Sequence, residues 1–188
     1  MQPIFINSGV LRRIYPLDTH AFRDHLLRLD SEGRHDRFAA AVSDAYIEDY
    51  VIGFFRSGDI AYGYFVGEEL RGAGELRQVG DGTAEAAFSV EPQWRRTGVG
   101  TALMSRIVRA ARNRNDKILM MMCLSQNRAM QQLAKHFSAD LTFATDQVTG
   151  RMVGRMATPI SLWSEALDDT LGLVGTMLHP RAGIAPVI

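Results

Sequence analysis

The sequence predicts one α/β domain: a mixed, mostly antiparallel sheet of six to seven strands with helices on both faces, followed by a C-terminal helical tail. Three observations lead there. Between residues 60 and 90 the hydrophobic period falls toward two in three successive segments, as strands joined by short turns require. Residues 118–124 (Ile-Leu-Met-Met-Met-Cys-Leu) are apolar without interruption, the pattern of a strand covered on both faces. Around these lie segments of helical period, so meanders and crossovers alternate and both faces of the sheet call for helices. At 188 residues, 46% apolar and 22% charged, the chain can bury a full core and does not have the composition of a disordered one.

The elements follow in order. Residues 10–16 read as a strand. Asp18 is placed to N-cap a helix running to Leu29, with Phe22, Leu26 and Leu29 on one face. The polar segment 30–37 breaks that pattern, and a second helix, carrying Phe38, Val42, Ala45, Tyr46 and Tyr50, runs to about Ile52. Residues 60–66, 70–78 and 84–90 are strands, turning at 67–69 and at Asp81-Gly82 and closed by Pro92. After Gly98 a helix presents Val99, Leu103, Ile107 and Ala111 at spacing four. Asn127 opens another with Met130, Leu133, Ala134 and Phe137, and 140–145 with 151–157 form a closing hairpin around 146–150. Thr158-Pro159 has the form of an N-cap with proline at the first helical position. It starts a last amphipathic helix to about Leu178. The expected division is a domain over 1–157 and a helical extension over 158–188 packed on it; a homodimer contact through the extension is the sharper alternative.

Several classes are excluded. No run approaches the roughly 18 apolar residues of a membrane span, and residues 1–17 lack the pattern of a secretory signal, so the expected location is cytoplasmic. One cysteine, Cys123, leaves no internal disulfide and no cysteine-built zinc site, and no metal is expected. Charges balance at 21 Lys+Arg against 21 Asp+Glu, which argues against a nucleic-acid partner. Yet residues 95–114 hold arginines 95, 96, 106, 109, 112 and 114 and no acidic residue. That local excess suits a small anionic ligand; a solvated helix face is the other reading.

The informative segment is 90–103, a strand end, an Arg/Gly-rich loop (Arg95-Arg96-Thr97-Gly98-Val99-Gly100-Thr101) and a helix start. Glycine lets the backbone approach a bound group, and the first helical turn offers unpaired N–H groups at the positive end of the helix dipole. Together these form a cradle for a phosphate or pyrophosphate, with Arg95 and Arg96 adding charge. The pattern is neither the dinucleotide fingerprint nor the P-loop.

Arg95-Arg96-Thr97-Gly98-Val99-Gly100 resembles the Arg/Gln-x-x-Gly-x-Gly/Ala signature of the GNAT superfamily of N-acetyltransferases. The strand before it and helix after it agree, as do the strand at 118–124 and the Asn127-led segment through Lys135. The resemblance covers about residues 10–157 and implies the GNAT fold. It further implies an acyl-CoA thioester, acetyl-CoA, as donor, with its pyrophosphate on Arg95, Arg96, Thr97, Gly98, Val99, Gly100 and Thr101. The pantetheine arm would pair with the backbone of Phe88, Ser89 and Val90, in a splay between the strand ending at 90 and the strand at 118–125. Asn127, with Met130 on the same helix, would bind near that splay. The implied acceptor is a primary amine on a small molecule or a peptide. No nucleic acid or membrane is involved.

Glu85 is the candidate base. Glutamate is unfavourable in a strand centre between alanines, and burying a carboxylate is costly unless it is paired or has a task. An alkyl ammonium, with a reference pKa near 10.4, must lose a proton before it attacks a thioester. In related acetyltransferases a glutamate at a similar place serves as base. A cross-strand ion pair with Arg71 or Arg77 is the other reading of Glu85, and Glu91 and Glu75 are fallback bases. The N–H of Val90 is the expected oxyanion donor.

Two departures stand out. The tyrosine that many members use to protonate the leaving thiolate aligns with Ala134, leaving water, Ser125 or His136 to substitute; a surface role is the plainer reading of His136. The family's Gly-Phe after this helix is Ser138-Ala139. The alternative to an enzyme is therefore an acyl-CoA-binding regulatory or sensor module. Residues 34–37 (Arg-His-Asp-Arg) fall on the acceptor side, as a selective or merely solvated loop.

Overall fold

The three period-two segments form the centre of one sheet. In the computed structural model, which describes residues 5–6, 9–57, 59–154, 162, 165 and 166, the strands are β1 (Phe5–Ile6), β2 (Gly9–Ile14), β3 (Ile60–Val66), β4 (Glu69–Gly80), β5 (Thr83–Val90), β6 (Ile118–Leu124), β7 (Asp140–Phe143) and β8 (Gln147–Val153). They pair in the order β1-β2-β3-β4-β5-β6-β8-β7. Every pairing is antiparallel except β5 with β6, which is parallel. The sheet thus holds one strand more than the six to seven expected, the addition being the two-residue β1.

Helices α1 (Thr19–Leu27), α2 (Ser31–Phe38) and α3 (Asp44–Ser57) precede β3; α4 (Val99–Asn113) crosses from β5 to β6, and α5 (Arg128–His136) follows β6. The alternation of side chains along the strands serves both faces. On one face Tyr62, Tyr64, Leu76, Ala84 and Ala86 pack with Leu103 and Ile107 of α4. On the other, Ala61, Phe65 and Ala73 pack with Phe22 and Leu26 of α1 and with Ile47, Val51 and Phe54 of α3.

Three boundaries differ from the sequence reading. The segment 30–37 is not a break but helix α2, N-capped by Asp30 Oδ1, which accepts the Gly33 N–H at 2.8 Å. The helix expected over 38–52 is α3, shifted to Asp44–Ser57. The last hairpin turns at 144–146, because Gln147–Gly150 already pair with β6 and β7. Asp18 stands at the N-cap position of α1 but makes no cap bond. Its carboxylate accepts from Arg12 at 2.8 and 2.9 Å and from the Tyr15 N–H at 2.9 Å.

Most of the expected helix over 158–178 lies outside the described residues. Leu162, Glu165 and Ala166 are helical. Buried Glu165 accepts hydrogen bonds from the Tyr62 hydroxyl (2.9 Å), Arg114 (3.0 Å) and the Asn113 amide. Burial pushes its carboxyl up, but these donors outweigh burial and hold it below the usual range. Removing that acceptor takes a hydrogen-bond partner from each of Tyr62, Asn113 and Arg114 at once. Glu165→Ala is therefore expected to lower stability in urea by about 1–3 kcal/mol; no change would show that the extension adds nothing there.

Candidate functional site

The site begins where two strands part. β5 pairs with β6 only from Thr83↔Ile118 to Ala86↔Met121. Beyond that, β5 stays with β4 as far as Val90↔Gly72, and β6 stays with β8 as far as Leu124↔Gln147. The last four residues of β5 and the last three of β6 therefore face each other across an unpaired wedge. Its polar lining follows from strand alternation. The Glu91 N–H donates to the Arg71 carbonyl at 3.0 Å, so the backbone groups of Ala87, Ser89 and Glu91 face β4. Those of Phe88 and Val90 face the wedge. The Val90 carbonyl is taken by Arg95 Nε at 3.1 Å. Its N–H and both backbone groups of Phe88 have no partner among the described residues.

Just past the wide end lies the loop into α4. Gly98, the N-cap residue, has φ 91°, a left-handed conformation that a side chain would strain, and no side chain caps the helix. The first N–H to find an acceptor within this turn is that of Ala102, on the Gly98 carbonyl at 3.0 Å. Among the described residues the N–H groups of Val99, Gly100 and Thr101 thus have no partner and point out of the helix end. A Cβ at residue 100 would meet only Leu133 Cδ2, at 3.7 Å. The glycine leaves open room above the turn that the protein itself does not fill, and residues of this kind fit a diphosphate. Arg96 is exposed beside it, and the Thr97 hydroxyl donates to the Trp94 carbonyl at 2.6 Å. Arg95 turns the other way: besides Val90 it binds Asp30, with Nη2 at 2.8 Å from Oδ1. Gly33 of α2 makes that possible, since a Cβ there would lie 2.6 Å from the Arg95 guanidinium.

The α1–α3 face of β5 carries Glu85, Ala87 and Ser89, with Glu91 at the strand's end. Glu85 is half-buried, in register with Arg77 on β4 and Met120 on β6, one residue before the strands part. Neither expected partner takes it: Arg77 binds Asp59 at 3.1 Å, and Arg71 binds Glu91 at 2.9 Å and also Glu69. Among the described residues its carboxylate has no hydrogen-bonded partner.

Glu75 and Glu91, the fallback carboxylates, are committed instead. Glu75 is fully buried opposite Ala87, held by Arg37 of α2 at 2.6 Å and by the Tyr50 hydroxyl of α3. Burial and the Glu75 charge push the Tyr50 hydroxyl well above its usual range, so it stays protonated and donates. Glu91, 3% exposed, accepts from Arg28 at 2.9 Å and Arg71 at 2.9 Å, and stands 3.2 Å from His25 Nδ1. His25 Nε2 is 2.9 Å from Ser89 Oγ. Burial raises the Glu91 carboxyl, but its hydrogen bonds from His25, Arg71 and Arg28 prevail and hold it low. Burial lowers the His25 imidazole from 6.5 more than Glu91 raises it.

The structure brings Phe88, Ser89, Val90 and the 95–101 loop together at one end of the wedge, with Glu85 at the other. Asn127 Oδ1 caps α5 by accepting the Met130 N–H at 2.9 Å, and half-buried Met130 packs on the core. Ala134 is buried, and His136 is exposed on the far end of α5. Sequence reasoning missed His25 and Arg28; it placed Arg37 in the acceptor-side segment 34–37 and Tyr50 on a helix face, but not their joint hold on Glu75. His25 had a faint signal: it lies three residues after Phe22 and so on the buried stripe of α1. A cavity of about 540 Å³, lined by Val108, Arg112, His136 and Met152 among others, lies on the α4 side, away from the wedge; of the candidate residues only His136 lines it. Among the described residues no cluster of metal-ligating side chains occurs, and no helix is long and apolar enough to cross a membrane.

The sequence profile of the Acetyltransferase (GNAT) family matches residues 11–138, and the chain belongs to that family. Its fold is shared with the GNAT domain of S. lividans PAT (20% identity, TM-score 0.68, 77% of this chain and 90% of that one). It is shared too with yncA of Salmonella typhimurium, whose structure is described with its cofactor acetyl-CoA (17%, 0.60, 81% and 98%). A third similar structure is the ribosomal-protein-S18-alanine N-acetyltransferase of Escherichia coli (15%, 0.62, 80% and 97%). No curated protein matches the chain by sequence. Members of the family use acetyl-CoA and act on amine acceptors, small molecules and proteins among them.

The buried network makes stability depend on pH in a defined direction. His25 is neutral when folded and protonates near 6.5 when unfolded, so stability falls as pH drops below about 6.5. Glu91 adds in the same sense at lower pH, because its folded pKa is depressed below 4.5. Thermal unfolding between pH 7.5 and 5 is expected to show a falling Tm, with a flatter dependence in His25→Gln. An equal slope in both proteins would contradict the assignment.

Proposed function

We propose that this protein transfers an acetyl group from acetyl-CoA to a primary amine, on a small molecule or a peptide, by direct attack in a ternary complex. The observation that carries the reading is the unpaired wedge between β5 and β6 opening beside the bare first turn of α4. A donor with a diphosphate and an extended, amide-bearing arm matches both at once. The N–H groups of Val99, Gly100 and Thr101, with exposed Arg96, hold the diphosphate. Arg95 braces the loop from behind through Asp30 and the Val90 carbonyl. Phe88 and Val90 pair with the arm from β5, while Asn127 and Met130 border the wedge from α5.

When bound, acetyl-CoA supplies an electrophilic thioester carbonyl and a thiol whose pKa near 8.5 makes it a fair leaving group. The Val90 N–H, fixed by the strand and aimed into the wedge, donates to the carbonyl oxygen as charge develops there. Glu85, on the acceptor face at the closed end, takes the ammonium proton so that a neutral amine can attack. The competing reading is an acyl-CoA sensor without turnover, favoured by buried Ala134 where a tyrosine acid would stand.

Steady-state thiol release from acetyl-CoA, with a panel of primary amines and lysine-bearing peptides, separates the two. Turnover is expected in the unaltered protein, and Glu85→Gln should lower kcat by about 100-fold or more with little change in CoA affinity. Binding of CoA with no release on any acceptor would favour the sensor; unchanged turnover in Glu85→Gln would remove Glu85 as base.

A further inference from the structure

Ser89, His25 and Glu91 form a continuous hydroxyl–imidazole–carboxylate chain. Ser89 Oγ lies 2.9 Å from His25 Nε2, and His25 Nδ1 lies 3.2 Å from Glu91 Oε1. The residues are 6%, 0% and 3% exposed, so no solvent intervenes. The directions of these bonds follow from what each group can do. Glu91 is ionised and accepts only, so the imidazole proton sits on Nδ1. Nε2 then carries a lone pair and accepts the Ser89 hydroxyl proton. Ser89 Oγ keeps its own lone pairs for a further donor, and among the described residues no other group bonds to it.

Two features argue against a purely structural tie. Arg28 and Arg71 already neutralise Glu91, so the imidazole is not needed to balance that charge. The chain also ends on the unpaired stretch of β5: Ser89 sits between Phe88 and Val90, whose backbone groups face the wedge. Its side chain lies on the α1–α3 face, the side on which Glu85 meets the acceptor in the reading above.

We infer that Ser89, backed by His25 and oriented by Glu91, is a proton relay that carries the second acceptor proton from nitrogen to sulfur. This rests on the acetyl-transfer reading. Glu85 takes the proton that frees the amine; acylation then requires a second N–H bond to break. That proton passes to Ser89 Oγ as the Ser89 hydroxyl proton passes to His25 Nε2. As the C–N bond forms and the C–S bond breaks, the same proton count returns through Ser89 to the sulfur. The balance is amine plus thioester to amide plus thiol, with Ser89 and His25 restored. The relay thereby fills the place left by Ala134. Ser89 touches the reacting atoms and is the catalytic residue of the three. Glu91 is a positioning residue, since it acts only by fixing the His25 tautomer.

The groups facing His25 are Glu91 and Ser89 of β5 and its end, Arg28 at the C-cap of α1, and Glu75 of β4, with Arg71 reaching it through Glu91. Burial outweighs the rest and keeps the imidazole neutral in the neutral range, ready to accept.

Two measurements decide the matter. The first compares the unaltered protein with Ser89→Ala and Ser89→Thr, reading kcat, KM for the amine and calorimetric CoA affinity. A fall in kcat of about 100-fold in Ser89→Ala, with CoA affinity kept within about twofold and most of the rate restored in Ser89→Thr, supports the relay. Turnover that survives Ser89→Ala removes the relay alone. Absence of turnover in the unaltered protein with every amine removes the acetyl-transfer reading and the relay together. The second needs no variant to fold and no activity: nitrogen-edited NMR of the His25 ring in the unaltered protein, with and without CoA. A neutral ring protonated on Nδ1 at pH 7 supports the relay; a ring protonated on Nε2, or charged at pH 7, overturns it.

Discussion

The parting of β5 from β6 is the constraint on which the rest depends. Each strand is held along its outer edge by an antiparallel neighbour, β5 by β4 and β6 by β8, to its last residue. Only the single parallel seam between them fails, after Ala86 and Met121. Adjacent strands in a sheet are rotated against one another, and two strands that each follow a different partner diverge once the seam ends. The open edge is stable because its polar groups have other uses. The Val90 carbonyl is answered by Arg95, and α2 lies over the gap, with Asp30 at its N-terminus tied to that same arginine.

This arrangement couples binding elements that are distant in sequence. Arg95, in the loop that leads to α4, fastens the N-terminus of α2 to the open end of the wedge. Arg37 of the same helix is drawn inward to Glu75 beneath Ala87. A buried carboxylate left alone would be costly, and removing one partner of such a pair destabilises far more than the pair itself contributes. Helix α2 is therefore anchored at both ends by ion pairs, with Phe38 as its apolar contact against Tyr46 and Tyr50, and none of its residues is fully buried.

Much of the scaffold was legible in the sequence. The strands at 60–66, 84–90 and 118–124, the helix after Gly98 and the Asn127 cap all fall within a residue or two of expectation, because hydrophobic period and turn chemistry report on local burial. Helix α2 was not legible, for a physical reason: Ser-Glu-Gly-Arg-His-Asp-Arg-Phe has no apolar stripe and ends at Ala39 in a left-handed conformation usually given to glycine. The loop residues of the cradle were readable because a bare helix end needs glycine and nearby charge in consecutive positions. The buried chain of Ser89, His25 and Glu91 was not, since it joins positions 64 and 66 apart that no local rule connects. Glu85 stood out as a carboxylate among alanines, and the structure leaves it without the arginine partners the sequence offered.

Isothermal titration of the purified protein with CoA, beside the variant Gly100→Val, measures the central premise most directly. A Cβ at residue 100 would meet only Leu133, at 3.7 Å, so the branches of a valine there would extend into the room over the first turn of α4. One-to-one binding by the unaltered protein, lost or strongly weakened in a variant that remains folded, is the predicted result. No heat with CoA, or equal affinity in both proteins, would contradict the account.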